Sequence, residues 1–154
     1  MSALERRPDV EVARRLRSRR VVDGLDYLRV LRRLSGSMTQ TDLAQSLGVT
    51  QPTISAALKS AAKVAEPREG FSGASAYEIA QRFAAGEIDR DQLVDELARW
   101  DYVPTPRTDG YDDLLIIPEG TFEEVARACR DGLIDGETYD VILHASAARR
   151  RATS

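Results

Sequence analysis

The stretch Gln40–Lys59, QTDLAQSLGVTQPTISAALK, decides the reading of this chain. Leu43, Ala44 and Leu47 recur at one-turn spacing, which predicts a short helix with one apolar face. Gly48 follows where that helix must stop and turn, a position that usually needs positive φ. Val49 is expected to plug the turn from below. Thr50 can cap a second helix, with Pro52 tolerated in its first turn. Ile54, Ala57 and Leu58 then return to the shared core. Ala44 falls where the two helices approach most closely, so a larger side chain there would hold them apart. Just upstream, Thr39 and Asp42 form a Thr-x-x-Asp variant of the capping box. The segment therefore predicts two short helices, a tight turn and one common apolar core.

Over roughly residues 25–63 this pattern resembles the phage-repressor-like (Cro and XRE) helix-turn-helix DNA-binding family. Gln40 opens the first helix and Gln51 the second. The resemblance implies that the glutamines act together, the first bracing the second and touching the DNA backbone while the second reads adenine. A glutamine amide can pair with both N6 and N7 of adenine in the major groove. On the second helix, about 100° per residue from an inward Ile54 sends Leu58 and Ala61 inward. Pro52, Ser55, Ala56 and Lys59 then point outward. Thr53 and Ser60 flank this face, where phosphates would be reached, and Thr50 at its head is a further candidate DNA-binding residue. No arginine occupies this face, so the guanine-reading pairing is missing from it. Pro52 and Ala56 replace the polar readers often found in the family, and suit thymine methyl groups.

Working outward from that segment, charge divides the chain. The net charge of −3 conceals a basic stretch and an acidic one. Residues 1–63 carry twelve basic and six acidic side chains, whereas residues 71–154 carry nine basic and seventeen acidic ones. A basic half around a reading helix is the electrostatic footprint of phosphate binding. Pro8 and Asp9 predict a helix start, and Arg14, Arg15, Arg17, Arg19 and Arg20 crowd the residues that follow. Arg14, Arg15 and Arg17 are the expected backbone contacts; a solvated helix face is the plainer reading of the same run. Val21, Leu25, Leu28, Leu31 and Leu34 make the apolar stripe that covers the helical pair, with Arg29, Arg32 and Arg33 on the other side. Gly36 ends this helix.

Beyond Lys63, the segment VAEPREGFSGAS predicts a linker over residues 67–74. A weak internal repeat follows. Residues 75–97 align with residues 121–143, pairing Ser75 with Thr121, Gly86 with Gly132, Ile88-Asp89 with Ile134-Asp135, and Leu97 with Leu143. Each copy predicts a helical hairpin: Ser or Thr caps the first helix, Gly ends it, Ile plugs the turn and Asp caps the second helix. Two such hairpins, each with one apolar face, are expected to pack into a small four-helix unit. The connection between them holds Trp100, Tyr102 and Tyr111, read as core or partner surface. It also holds Asp109, Asp112 and Asp113, read as turn residues and caps because the ligand alternation of a calcium loop is missing. The apolar run Leu114–Ile117 is read as core, a minor strand or an interface patch.

The fold expected is all-α. A basic arm and helix-turn-helix domain spans 1–66, a linker 67–74, and an acidic helical domain of two repeated hairpins 75–148. One cysteine, Cys129, and one histidine, His144, exclude a disulfide framework and a zinc site, so neither metal nor cofactor is expected. No nucleophile, base and orienter can be assembled, so no catalysis is expected. No long apolar run suggests a membrane span, and the charged first twenty residues do not suit a signal peptide, so a cytoplasmic protein is expected. Twenty of the 22 basic residues are arginine, a bias of GC-rich bacterial or phage genomes. The function expected is a DNA-binding regulator, a repressor acting by operator occupancy. It would bind duplex DNA as a homodimer, with the acidic half dimerising or holding a partner. One alternative is an antitoxin that covers a basic toxin with its acidic half. Another is a plasmid architectural or replication protein with many regularly spaced sites.

Overall fold

A computed structural model describes residues 7–105 and 119–154. Tyr111, the three aspartates at 109, 112 and 113, and the apolar run at 114–117 lie outside the described residues. Every regular element described is helical: α1 (Pro8–Leu34), α2 (Gln40–Leu47), α3 (Gln51–Ala61), α4 (Ala76–Ala84), α5 (Arg90–Arg99), α6 (Glu123–Arg130) and α7 (Gly136–Thr153). Among the described residues no helix is long and apolar enough to cross a membrane. The chain divides into two compact units, Arg20–Glu66 and Met1–Arg19 with Pro67–Ser154.

In the unit Arg20–Glu66, Leu31 of α1, Leu43 and Ala44 of α2 and Ile54 of α3 are buried together. Leu34, Met38, Ala57 and Leu58 close around them. Two apolar residues expected inside are outside: Leu47 is 45% exposed and Val49 39% exposed. The turn is held by backbone. Gly48 takes φ 69°, and Val49 donates its N–H to the Ala44 carbonyl at 3.0 Å, so no side chain has to fill the turn.

The inward face of α1 also differs from the expected stripe. Val22 and Leu31 are buried, Leu25 and Leu28 are half-buried, and Val21 is 42% exposed. Arg29 is buried among them at 3% exposure. Its guanidinium donates twice to the Ala65 carbonyl, at 3.0 and 2.8 Å. Arg32 donates to the carbonyls of Ala61 and Val64 and to the Glu66 carboxylate. These arginines therefore tie down the carbonyls at and just beyond the end of α3, where no intrahelical donor remains. Arg32, with Arg33 and Arg29 beside it, holds the Glu66 carboxyl below its ordinary range.

In the other unit, α4 packs on α5 and α6, and α7 packs on α5 and α6. Ile79, Leu93, Leu97, Val125 and Ile142 form the centre of this core. Trp100 is buried in it, with Phe71 edge-on at 4.8 Å and the Arg68 guanidinium 4.0 Å from the ring centroid. The Tyr102 hydroxyl donates to the Leu97 carbonyl at 2.6 Å, and burial pushes the phenol's pKa up.

The aligned segments share their turns. Gly86 and Gly132 take φ 82° and 77°. Glu87 donates its N–H to the Arg82 carbonyl, and Leu133 donates to that of Ala128, both at 2.9 Å. Asp89 caps α5 and Asp135 caps α7. The structure adds a further correspondence. Glu78 accepts the Ala74 N–H at 2.9 Å, and Glu124 accepts the Gly120 N–H at 2.7 Å. The caps of the first helices differ. Ser75 caps α4 with its hydroxyl, but α6 begins at Glu123 with no side-chain cap. Phe122 already has helical φ and ψ, so the Thr121 carbonyl receives the Glu124 N–H and the Thr121 hydroxyl is buried instead.

Candidate nucleic-acid interface

The candidate face is the start and outer side of α3. Thr50, extended at φ −83° and ψ 154°, accepts the Thr53 N–H at 3.3 Å and so fixes where α3 begins. Its hydroxyl also shares a 2.8 Å hydrogen bond with that of Thr53. Pro52 sits in the first turn, where a missing N–H costs nothing. Thr39 plays the same part for α2, accepting the Asp42 N–H at 3.1 Å. These two caps bring the first residues of α2 and α3, Gln40 and Gln51, to one end of the helical pair.

There the side chains meet. The Gln51 amide nitrogen donates to the Gln40 amide oxygen at 2.6 Å. The bond is solvent-facing and joins residues eleven positions apart. One amide oxygen and one N–H thus hold Gln51 in place, while its own oxygen and a second N–H stay available. That is the donor–acceptor pair needed for a bidentate contact to adenine N6 and N7.

Along α3, Gln51, Pro52, Thr53, Ala56 and Lys59 are exposed, as expected for an outward face. Ile54 and Ala61 are fully buried on the opposite side. Ser55 is half-buried, so it stands at the margin of the face and not at its centre. Lys59 is the only cationic side chain on α3. The face therefore offers an amide, small apolar groups, hydroxyls and one ammonium group.

Arg14, Arg15 and Arg17 are exposed on α1, but they belong to the unit Met1–Arg19 with Pro67–Ser154 and not to the one that carries α3. The structure brings Gln40, Thr50, Gln51, Pro52, Thr53 and Lys59 together on one unit. Sequence reasoning missed the role of Arg29 and Arg32, whose charge is directed at backbone carbonyls. The spacing Val22, Leu25, Arg29, Arg32 follows a helical stripe and marks both arginines as inward-facing.

Comparison with protein-family models, with curated proteins and with solved structures gives no match, so the assignment of this face rests on its own geometry.

Proposed function

We infer that the chain is a sequence-specific DNA-binding regulator that acts by occupying an operator. In this reading α2 and α3 form a helix-turn-helix, α3 enters the major groove, and Gln51 reads adenine while Gln40 holds it. The aligned segments 75–97 and 121–143 are two copies of one helical hairpin that build a separate acidic module. The observation that carries the reading is the 2.6 Å Gln51–Gln40 hydrogen bond at the exposed head of α3. Fixing a flexible reading side chain before binding removes part of the entropy cost of recognition. An exposed pair of polar side chains contributes little to stability, so its value lies in positioning.

The basic excess of residues 1–63 supports the reading, although Arg29 and Arg32 are directed inward. The remaining cations supply sequence-independent attraction to phosphates, and the α3 face supplies preference. Selection from a random duplex library tests this with the full chain. The expected result is an enriched site containing an adenine whose replacement abolishes preference. Recovery of no enriched sequence would overturn the reading. Capture of a small basic protein encoded beside this chain, with no DNA preference, would favour the antitoxin alternative.

A further inference from the structure

The hydrogen bond between Gln51 and Gln40 fixes where the reading amide lies and also which way round it faces. Gln51 uses one N–H of its amide nitrogen to reach the Gln40 oxygen at 2.6 Å. Turning the Gln51 amide over by itself would set two carbonyl oxygens against each other. The side chain therefore presents its oxygen, an acceptor, beside its second N–H, a donor. In the major groove, adenine is the base that sets a donor beside an acceptor on its own edge, the N6 amino group next to N7. In this orientation the Gln51 oxygen meets the N6 hydrogen and the Gln51 N–H meets N7.

The N6 amino group has two hydrogens. One is committed to thymine O4 in the base pair, and the other projects into the groove. A methyl group on the N6 of an adenine that stays paired takes the place of the groove hydrogen. It removes the donor that the Gln51 oxygen needs, sets a carbon against that oxygen and crowds the approach to N7. A polar group covered without its partner loses its hydration and regains nothing. No other group on α3 replaces the lost contact. The Thr53 hydroxyl is tied to that of Thr50 at 2.8 Å. Pro52 and Ala56 have no hydrogen-bonding side chain, and Ser55 is half-buried. Lys59 lies about 12 Å further along the helix axis. Gln40, Gln51 and the whole of α3 lie within the unit Arg20–Glu66.

We propose that N6-methylation of the adenine read by Gln51 releases this protein from its operator, so that occupancy follows the modification state of a single base. The inference rests on the adenine-reading role of Gln51 and adds its regulation. The discrimination concerns the position of a methyl group and not methyl groups in general, because the thymine methyl suits the apolar surface of Pro52 and Ala56. Gln40 contributes by denying Gln51 a second orientation in which it could accommodate the modified base.

Fluorescence anisotropy with the full chain tests this on the site enriched from unmodified random duplex. Three duplexes are compared: the unmodified site, the site with N6-methyladenine at the selected adenine, and the site with N6-methyladenine in its flank. Methylation of the selected adenine is expected to weaken binding about tenfold or more, as for a lost bidentate base contact, and flank methylation to leave it unchanged. Gln51→Ala is the deciding arm; Gln51 is exposed, so the fold is expected to survive. The variant should bind the unmodified site about as weakly as wild type binds the methylated one. Methylation should then weaken the variant less than about twofold further, since both changes remove one contact. A methylation effect of equal size in wild type and Gln51→Ala would arise from the duplex alone and would overturn the proposal. So would a wild-type chain that binds both forms alike; if Gln51→Ala still weakened that site, the adenine reading itself would stand. A library that yields no enriched site would overturn that reading and this inference together.

Discussion

The Gln51 amide donates to the Gln40 amide oxygen at 2.6 Å, joining the first residues of two helices across a tight turn. If Gln51 reads a base and Gln40 only holds it, the two substitutions separate. Gln51→Ala should cost roughly 1–3 kcal/mol on the selected site and little on random duplex. Gln40→Ala should cost less and act through the same adenine. Fluorescence anisotropy on matched and scrambled duplexes measures both. Equal effects on both duplexes from Gln51→Ala would show that the amide is not a reader.

Arginines on α1 should divide by direction. Arg14 and Arg17 are exposed, and replacing both with alanine should weaken binding to every sequence. The salt dependence should flatten by about one unit of slope for each phosphate that is no longer neutralised. An unchanged slope would remove both from the interface.

Arg29 should behave as a core residue. It is 3% exposed and donates twice to the Ala65 carbonyl. Arg29→Ala leaves that carbonyl without its guanidinium donor and opens space beneath α1, so it should cost about 2–4 kcal/mol of stability. Urea denaturation followed by circular dichroism reads this. A cost under about half a kcal/mol would show that the exchange with water is nearly even.

Gly48 isolates a pure backbone effect. It takes φ 69°, and a Cβ added there would meet no atom within 4 Å. Gly48→Ala should therefore destabilise by about 1–2 kcal/mol through left-handed strain alone, with no packing defect. The thermal midpoint should fall while the sequence preference of the folded protein is retained.

The Asp135 cap should show in acid. Its carboxylate accepts from the Thr138 hydroxyl and from the Thr138 N–H, and these bonds hold its pKa below the ordinary aspartate value. A carboxyl depressed on folding stabilises above its unfolded pKa and loses that contribution as pH falls through the folded one. The benefit is therefore full above about pH 4 and disappears below it. Asp135→Ala should cost about 1 kcal/mol at neutral pH. Its difference from wild type should shrink in thermal melts taken at successively lower pH.

The helix ends are legible because their signals are local. Thr39, Thr50, Ser75, Asp89 and Asp135 all cap as their side-chain chemistry suggests, and Gly48, Gly86 and Gly132 all adopt positive φ. A cap or turn depends on atoms within one helical turn, so a few residues define it. Thr121 breaks this pattern for an equally local reason: Phe122 has already entered helical geometry, and the Thr121 carbonyl takes the place of its hydroxyl.

Burial is less legible. Spacing puts Leu47 and Val49 inside, and both are exposed. The same spacing puts Val21 and Leu31 on the inward stripe of α1, but Val21 is exposed and Leu31 is buried together with Val22 and Arg29. Apolar periodicity fixes a face to within about one residue in each turn, and a long side chain such as arginine can be drawn inward by acceptors far away in sequence. Ala65 lies 36 residues from Arg29, and nothing near Arg29 announces it.

Local chemistry along the chain is enough for the all-helical class, for the starts of α2 and α3, and for the place of Gln40 and Gln51 at the heads of those helices. It is not enough to bring the two amides to 2.6 Å, or to turn Arg29 and Arg32 toward the backbone at and beyond the end of α3; those came from the folded arrangement. Caps and turns are set by groups that are neighbours in sequence. The meeting of side chains from different helices is set by how Leu31, Leu43, Ala44 and Ile54 pack, which no single segment encodes.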